Sequence, residues 1–305
     1  MKCIYHSADL DGKMSAAIVQ SFNKDCELVP ANYGDQFPWH LFMNDKHDTT
    51  ELVYMVDFSL QPFEKMYELM KLCRLVWIDH HETAINESLK SQTPTGAGLA
   101  GGTLRIGIGA CQLVWQYFTD REIPLPVRAL AHYDVWDHDW VDHNRDLVRG
   151  DVLDFQYGVQ ANMPTDLGTQ IEYLKLWLNV NSRAEMRATI DEGRAILKYI
   201  RVNNHEYARM HAFRTVIDGF PATAINKGMA SSLLFDAINI PDSHVRIAYC
   251  QLPTGLWTVS LYSKGKVGAV HVGNIARRHG GGGHENAAGF QCNELPFKSY
   301  IREEL

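Results

Sequence analysis

Short apolar runs at residues 3–5, 52–56 and 75–78 each pass straight into polar residues, as strands do at the end of a buried sheet. Between them Met14, Ala17, Ile18 and Phe22 recur at helical spacing, as do Phe63, Met66, Met70 and Cys73. The resulting order of strand, helix, strand, helix is the signature of βαβ units, so the expected fold class is α/β with a parallel sheet flanked by helices. The glycine- and threonine-rich residues 93–103 read as a loop, and residues 111–118 as a buried helix that Pro124 and Pro126 follow. Farther on, an amphipathic helix carries Met186, Ile190, Leu197 and Ile200 on one face. Beyond it the pattern changes to short alternating strands, clearest at 245–249 and 257–262. These changes predict a first domain over 1–183, a connecting helix over 184–212 and a smaller domain over 213–305.

With 305 residues, 46% of them hydrophobic, the chain can bury a sizeable core, which excludes a disordered or fibrous protein. Lys and Arg total 29 against 36 Asp and Glu, a formal charge of −7, the opposite of the basic footprint of a stable duplex-DNA binder. A nucleic-acid partner is therefore expected to be short or held through metal. The six cysteines, Cys3, Cys26, Cys73, Cys111, Cys250 and Cys292, form no CxxC pair and read as core thiols of a protein in a reducing compartment. No apolar run reaches the roughly 18 residues of a membrane helix, and His6, Asp9 and Asp11 leave no room for an apolar leader, so a cytoplasmic protein without membrane contact is expected.

Chemistry concentrates where the apolar runs end. His6, Asp9 and Asp11 follow the first strand, with Gly12 turning the chain into the next helix, although Asp9 and Asp11 are also good helix caps. Asp57 ends the second run, and Asp79, His80 and His81 end the third; adjacent imidazoles after a buried strand are costly unless something pairs with them. A fourth cluster holds Asp134 and Asp137, either of which fits a cleft, and Asp134 is preferred because it follows the apolar segment 129–133. In a parallel sheet such strand ends share one edge. Carboxylates and imidazoles without nearby thiolates suit Mn²⁺, Mg²⁺ or Fe²⁺ and disfavour structural zinc. Trp77, Trp115 and Trp140 read as core, whereas Trp136, between two candidate aspartates, is a candidate for base stacking. His40, His47, His205, His211 and His244 have no ligand-like spacing, and Glu64, Lys65, Glu68 and Lys71 form a solvated helix face.

The Asp79-His80-His81 triplet, the Asp9-Leu-Asp11-Gly12 motif before it, and the run from Gly280 through His284 to Gly289 (GGGGHENAAG) together resemble the DHH phosphoesterases that carry a C-terminal DHHA1 domain. The resemblance spans nearly the whole chain and is nearest to the short-oligoribonucleotide hydrolases called nano-RNases, with RecJ-like exonucleases, cyclic-dinucleotide phosphodiesterases and class II pyrophosphatases as more distant relatives. It implies a DHH domain with a parallel sheet, plus a smaller α/β DHHA1 domain with a mixed sheet.

It also implies two divalent cations, usually Mn²⁺, with Mg²⁺, Fe²⁺ or Co²⁺ as alternatives. Carried over by position, His6, Asp9 and Asp57 would hold one ion, and Asp11, Asp57, His80 and Asp134 the other, with Asp57 bridging. His81 would face phosphate or support the ligands, and Asp79 would orient the histidine pair. Gly281, Gly282, Gly283 and His284 would contact the distal nucleotide, with Arg277 or Arg278 on a non-scissile phosphate. The implied reaction is hydrolysis of short RNA to nucleoside monophosphates by in-line attack of a hydroxide bridging the two ions. The rivals are a cyclic-dinucleotide or linear-dinucleotide phosphodiesterase and a catalytically silent nucleotide-binding module. Oligomeric state stays open, a homodimer included.

The chain departs from the family pattern twice. Only two residues separate His6 from Asp9 where many members have three, and Tyr262 stands where several relatives have an arginine, in Ser260-Leu-Tyr262-Ser263.

Overall fold

The computed structural model describes residues 1–43, 50–90, 99–142, 147–264 and 270–298, so His47 and residues 93–98 lie outside the described residues. The chain forms two compact units, Met1–Leu197 and Lys198–Leu305. In chain order the first unit contains β1 (Lys2–His6), α1 (Leu10–Phe22), β2 (Glu27–Ala31), β3 (Leu52–Val56), α2 (Glu64–Met70), β4 (Arg74–Asp79), α3 (Glu82–Lys90), β5 (Leu99–Leu104), α4 (Ala110–Phe118), α5 (Leu125–Asp134), α6 (Asp151–Ala161), α7 (Leu167–Leu176) and the first half of α8 (Arg183–His211).

Its five strands pair in the order β2-β1-β3-β4-β5, every pairing parallel. Both faces are buried, which is why the central strands read as unbroken apolar runs rather than alternations. Cys3, Tyr5, Tyr54, Val56, Val76 and Ile78 face one core, and Ile4, Val53, Met55, Leu75 and Trp77 the other. The first core is closed by buried residues of α1, α4 and α5, such as Ile18, Val114 and Leu130, and the second by Met66 and Leu69 of α2. Four cysteines are buried, and all six are free thiols.

Both edge strands depart from the sequence expectation. At the β2 edge, Pro30 interrupts the strand signal; an edge strand tolerates proline because one side of its ladder needs no donor. At the other edge, residues 99–104 form a strand rather than continuing a loop. Gly102, at φ 138°, lies so close to the Trp77 backbone that a Cβ would collide with it, so the composition that looks like a turn is what lets β5 pair with β4.

The second unit comprises the end of α8 followed by β6 (Phe213–Ile217), β7 (Phe220–Asn226), β8 (Val245–Gln251), β9 (Trp257–Tyr262), α9 (Val272–Arg278), β10 (Gly282–Gly283) and β11 (Ala287–Cys292). The six strands are ordered β10-β11-β9-β8-β7-β6; β7 and β8 are parallel and the other pairings antiparallel, a mixed sheet. Val272, Ile275 and Ala276 of α9 pack on one face with Val245 and Ile247. Ala208 of α8 packs on the other with Ala248 and Phe235. Among the described residues, no helix is long and apolar enough to cross a membrane.

Candidate metal centre

Parallel strands deliver their carboxyl ends to one edge of the first sheet, and the chemistry-bearing residues follow those ends. Asp9 and Asp11 come directly after β1, Asp57 after β3, and His80 and His81 after β4. Asp57 occupies the left-handed region at φ 54°, a conformation that aspartate tolerates better than most residues, while its amide still donates to Ile78 across the sheet at 3.0 Å. Asp134 arrives by another route. It is the last residue of α5, not a loop residue at a strand end, and α5 is brought in because Gly109, ahead of α4, packs directly on Ala131.

At the centre is His80 Nε2. It lies 3.1 Å from Asp134 Oδ2, 3.2 Å from Asp57 Oδ1 and 3.6 Å from Asp11 Oδ2. The ligand atoms of Asp11, His80 and Asp134 all fall within 4.8 Å of one another. Asp11 is also an anchor. Its two oxygens accept from the amides of Ala110 (2.6 Å) and Cys111 (2.8 Å) at the start of α4, which ties the first motif to the helix whose leading glycine packs on α5.

This cluster gathers three carboxylates, two of them buried, around one buried imidazole. Burial, reinforced by the nearby Asp134 charge, pushes the Asp11 carboxyl up to about 6. Burial, then Asp11 and Asp9, raises Asp57 well above the usual carboxylate range. For His80, burial opposes the charged ring, but the carboxylates of Asp134 and Asp57 at 3.1 and 3.2 Å outweigh it and raise the imidazole well above its ordinary value. Two buried carboxylates that resist ionisation, with Asp134 beside the same imidazole, form a set that a divalent cation would satisfy, and their hard oxygens with a nitrogen donor fit Mn²⁺, Mg²⁺ or Fe²⁺.

Asp79 has a different task. Fully buried, it accepts at Oδ1 from the His80 amide (2.7 Å), the His81 amide (3.2 Å) and His81 Nδ1 (2.7 Å), and at Oδ2 from Trp77 Nε1 (3.2 Å). Burial alone would raise its carboxyl, but the His81 charge and these hydrogen bonds hold it below the usual range. An ionised Asp79 fixes the proton of His81 on Nδ1 and leaves Nε2 as the ring's other working nitrogen. Asp79→Asn is therefore expected to weaken the affinity of the centre for a divalent cation by roughly 10–100-fold. Titration of the full chain with Mn²⁺ checks this.

Among the described residues, His6 and Asp9 belong to neither of the first unit's close trios, which are Asp11, His80 and Asp134, and Asp57, Asp79 and His81. They pair with each other, His6 Nε2 to Asp9 Oδ2 at 3.4 Å, while Asp9 Oδ1 caps α1 by accepting from the Gly12 amide at 2.9 Å. His6 Nδ1 is buried and makes no hydrogen bond among the described residues. Asp137 turns away from the centre to His132 Nδ1 at 2.9 Å, which separates it from Asp134.

Tyr33 escaped the sequence reading. It follows β2, and although the residue as a whole is 40% exposed, its ring meets Phe58 at 4.8 Å, His6 at 5.4 Å and His81 at 6.1 Å. Its hydroxyl hydrogen-bonds Ser59, and desolvation of that hydroxyl, then the charges of Asp79 and Asp57, push it far above the ordinary tyrosine range. The signal that could have located it was the end of β2, hidden by Pro30.

In the second unit the glycine run is partly strand: Gly282 and Gly283 pair with Gly289 and Ala288. The His284 amide donates to Ala287 at 2.7 Å and closes the turn. Asp218 engages both Arg278 Nε (2.8 Å) and His279 Nε2 (3.0 Å). The Arg277 Nε is buried with no hydrogen-bond acceptor among the described residues. Tyr262 donates through its hydroxyl to Ala230 at 2.8 Å.

No protein-family model matches the sequence, and no curated protein matches it. Among solved structures, the chain is similar to a pGpG-specific phosphodiesterase from Vibrio cholerae, at 11% identity over 95% of this chain and 92% of that one, with a TM-score of 0.46. It is similar to an exopolyphosphatase-related protein from Bacteroides fragilis, at 14% identity over 96% and 87%, with a TM-score of 0.47. A third is RecJ from Thermus thermophilus in complex with Mn²⁺, at 16% identity over 95% of this chain and 49% of that one, with a TM-score of 0.44.

Proposed function

We propose that the chain is a metal-dependent phosphodiesterase of the DHH/DHHA1 type that hydrolyses short oligoribonucleotides to nucleoside monophosphates. The observation that carries this reading is the convergence of Asp11, Asp57 and Asp134 on His80 Nε2 at 3.1–3.6 Å, from segments as distant in sequence as Asp11 and Asp134. A fold gains nothing from burying Asp11 and Asp57 beside one imidazole with the half-buried Asp134 against it; a site for divalent cations does.

In this reading Asp11, Asp57, His80 and Asp134 hold one cation and His6 and Asp9, with Asp57, a second. Two such ions, Mn²⁺ before Mg²⁺, Fe²⁺ or Co²⁺, would supply a water of lowered pKa and neutralise the charge that builds on the phosphoryl oxygens. His81, its Nδ1–H held by Asp79, presents Nε2 to the phosphate and can carry a proton there. Arg277 offers the second unit's guanidinium to a non-scissile phosphate, and the glycine run with His284 receives the distal nucleotide. Water is consumed and one P–O bond broken at each cut, leaving a phosphomonoester and a hydroxyl. In the domain scheme, residues 1–183 do the chemistry and 213–305 bind the substrate's far end.

Turnover of a panel tests the substrate class: a 5′-phosphorylated RNA dinucleotide, a five-nucleotide RNA, its DNA counterpart, a cyclic dinucleotide and pyrophosphate, each with Mn²⁺. Mononucleotides from the two RNAs are expected. Cleavage confined to the cyclic substrate or to pyrophosphate would overturn the substrate class, and silence throughout would favour a nucleotide-binding module.

A further inference from the structure

The loop that follows α5 carries two aromatic stacks with different surroundings. In the first, Trp140 stacks on His132 (4.1 Å between centroids, 10° between planes) and lies 4.8 Å from the Arg128 guanidinium. Arg128 also reaches Asp142 at 2.8 Å, and His132 reaches Asp137 at 2.9 Å. Because Arg128 and His132 are one helical turn apart on α5, this stack pins the loop to the helix.

In the second, His138 stacks on Tyr133 (5.0 Å, 21°) and on Trp136 (5.7 Å, 23°). All three rings remain partly exposed. Trp136 sits at φ 65°, where a bulky residue is strongly disfavoured, with its amide donating to the Tyr133 carbonyl at 3.1 Å. The Trp140 stack fastens the loop to α5, and the left-handed conformation of Trp136 is held beside it. Glycine would take the same turn without strain.

We propose that Trp136, backed by His138 and Tyr133, is a stacking platform for the nucleobase next to the phosphate being cut. This rests on the phosphodiesterase reading above and names the part of the substrate that reading leaves undefined. Position identifies the occupant. Trp136 is two residues from Asp134, whose Oδ2 is 3.1 Å from His80 Nε2. A phosphate held at that centre brings a ribose and base to the surface bordering Asp134, and the nearly parallel rings there offer a flat π-face that any of the four bases can cover. Such a platform reads the presence of a base rather than its identity, so it suits a hydrolase of mixed-sequence short RNA.

The test is calorimetric titration of the full chain, with Mn²⁺ present, by adenosine 5′-monophosphate and by ribose 5-phosphate. Wild type is expected to bind the nucleotide about tenfold tighter than the sugar phosphate. Trp136→Gly, which keeps the positive-φ turn, is expected to bind the two equally, with sugar-phosphate affinity unchanged, and Trp136→Phe to keep most of the preference. An undiminished preference in Trp136→Gly, or no preference in wild type, would overturn the platform. Turnover of the RNA dinucleotide separates the two readings: a wild type that prefers the nucleotide yet cleaves nothing counts against phosphodiester hydrolysis. Full turnover without any preference counts against the platform alone.

Discussion

Replacing Asp57 by asparagine is expected to abolish Mn²⁺-dependent cleavage of an RNA dinucleotide, by on the order of 10³-fold or more, while leaving the metal-free fold at least as stable as wild type. The first half follows from position: the carboxylate is 2% exposed and lies 3.2 Å from His80 and 3.8 Å from His81, where it contributes charge to the whole cluster. The second half follows from sign. Burial, then Asp11 and Asp9, raises the folded-state pKa of Asp57 far above its unfolded value. Between those two values the native state holds a proton that the unfolded chain has released, so metal-free stability falls as pH rises through that window. Asparagine removes that penalty. Thermal melts in chelator at pH 7.5, beside the turnover assay, check both halves; a large loss of metal-free stability would make Asp57 a structural residue instead.

Asp151→Ala is expected to do the reverse, destabilising the first unit by about 3 kcal/mol with the metal centre's residues untouched. Asp151 opens α6 and is fully buried; it accepts from Arg183 Nε at 2.7 Å and Nη2 at 3.2 Å, from Arg194 Nη2 at 3.2 Å and from the Val148 amide at 3.0 Å. Its removal takes two hydrogen bonds from Arg183, which is only partly exposed, but Arg194 keeps Asp154 at 2.8 Å and reaches solvent, so the loss sits at the low end for a broken buried pair. The exposed pair Arg187–Asp191 on α8 supplies the contrast, and Arg187→Ala is expected to cost less than about 1 kcal/mol. Urea unfolding of both variants measures the difference.

The residues of the centre were legible because a parallel sheet converts sequence into geometry: an apolar run marks a strand, and its end marks the common edge. Asp11, Asp57 and His80 could be found that way. Asp134 could be selected by the apolar segment before it, but its arrival on a helix depends on the contact of Gly109 with Ala131, which no local pattern announces. The helix-capping alternative held for Asp9, while Asp11 caps a distant helix rather than its own. Both edge strands were obscured by the residues that make edges workable, Pro30 in β2 and the glycines of β5. Tyr33 was lost with the first of them.

The measurement closest to the central claim is the binding of Mn²⁺ itself, followed by the electron paramagnetic resonance signal of the free ion as the chain is titrated at pH 7.5 and at pH 5. With Asp11 raised to about 6 and Asp57 higher than usual, the centre must release protons to accept an ion, so tight binding is expected at pH 7.5, weaker binding at pH 5, and loss of at least one ion in Asp57→Asn. Binding that is absent at pH 7.5, or present and indifferent to both pH and Asp57, would contradict the claim.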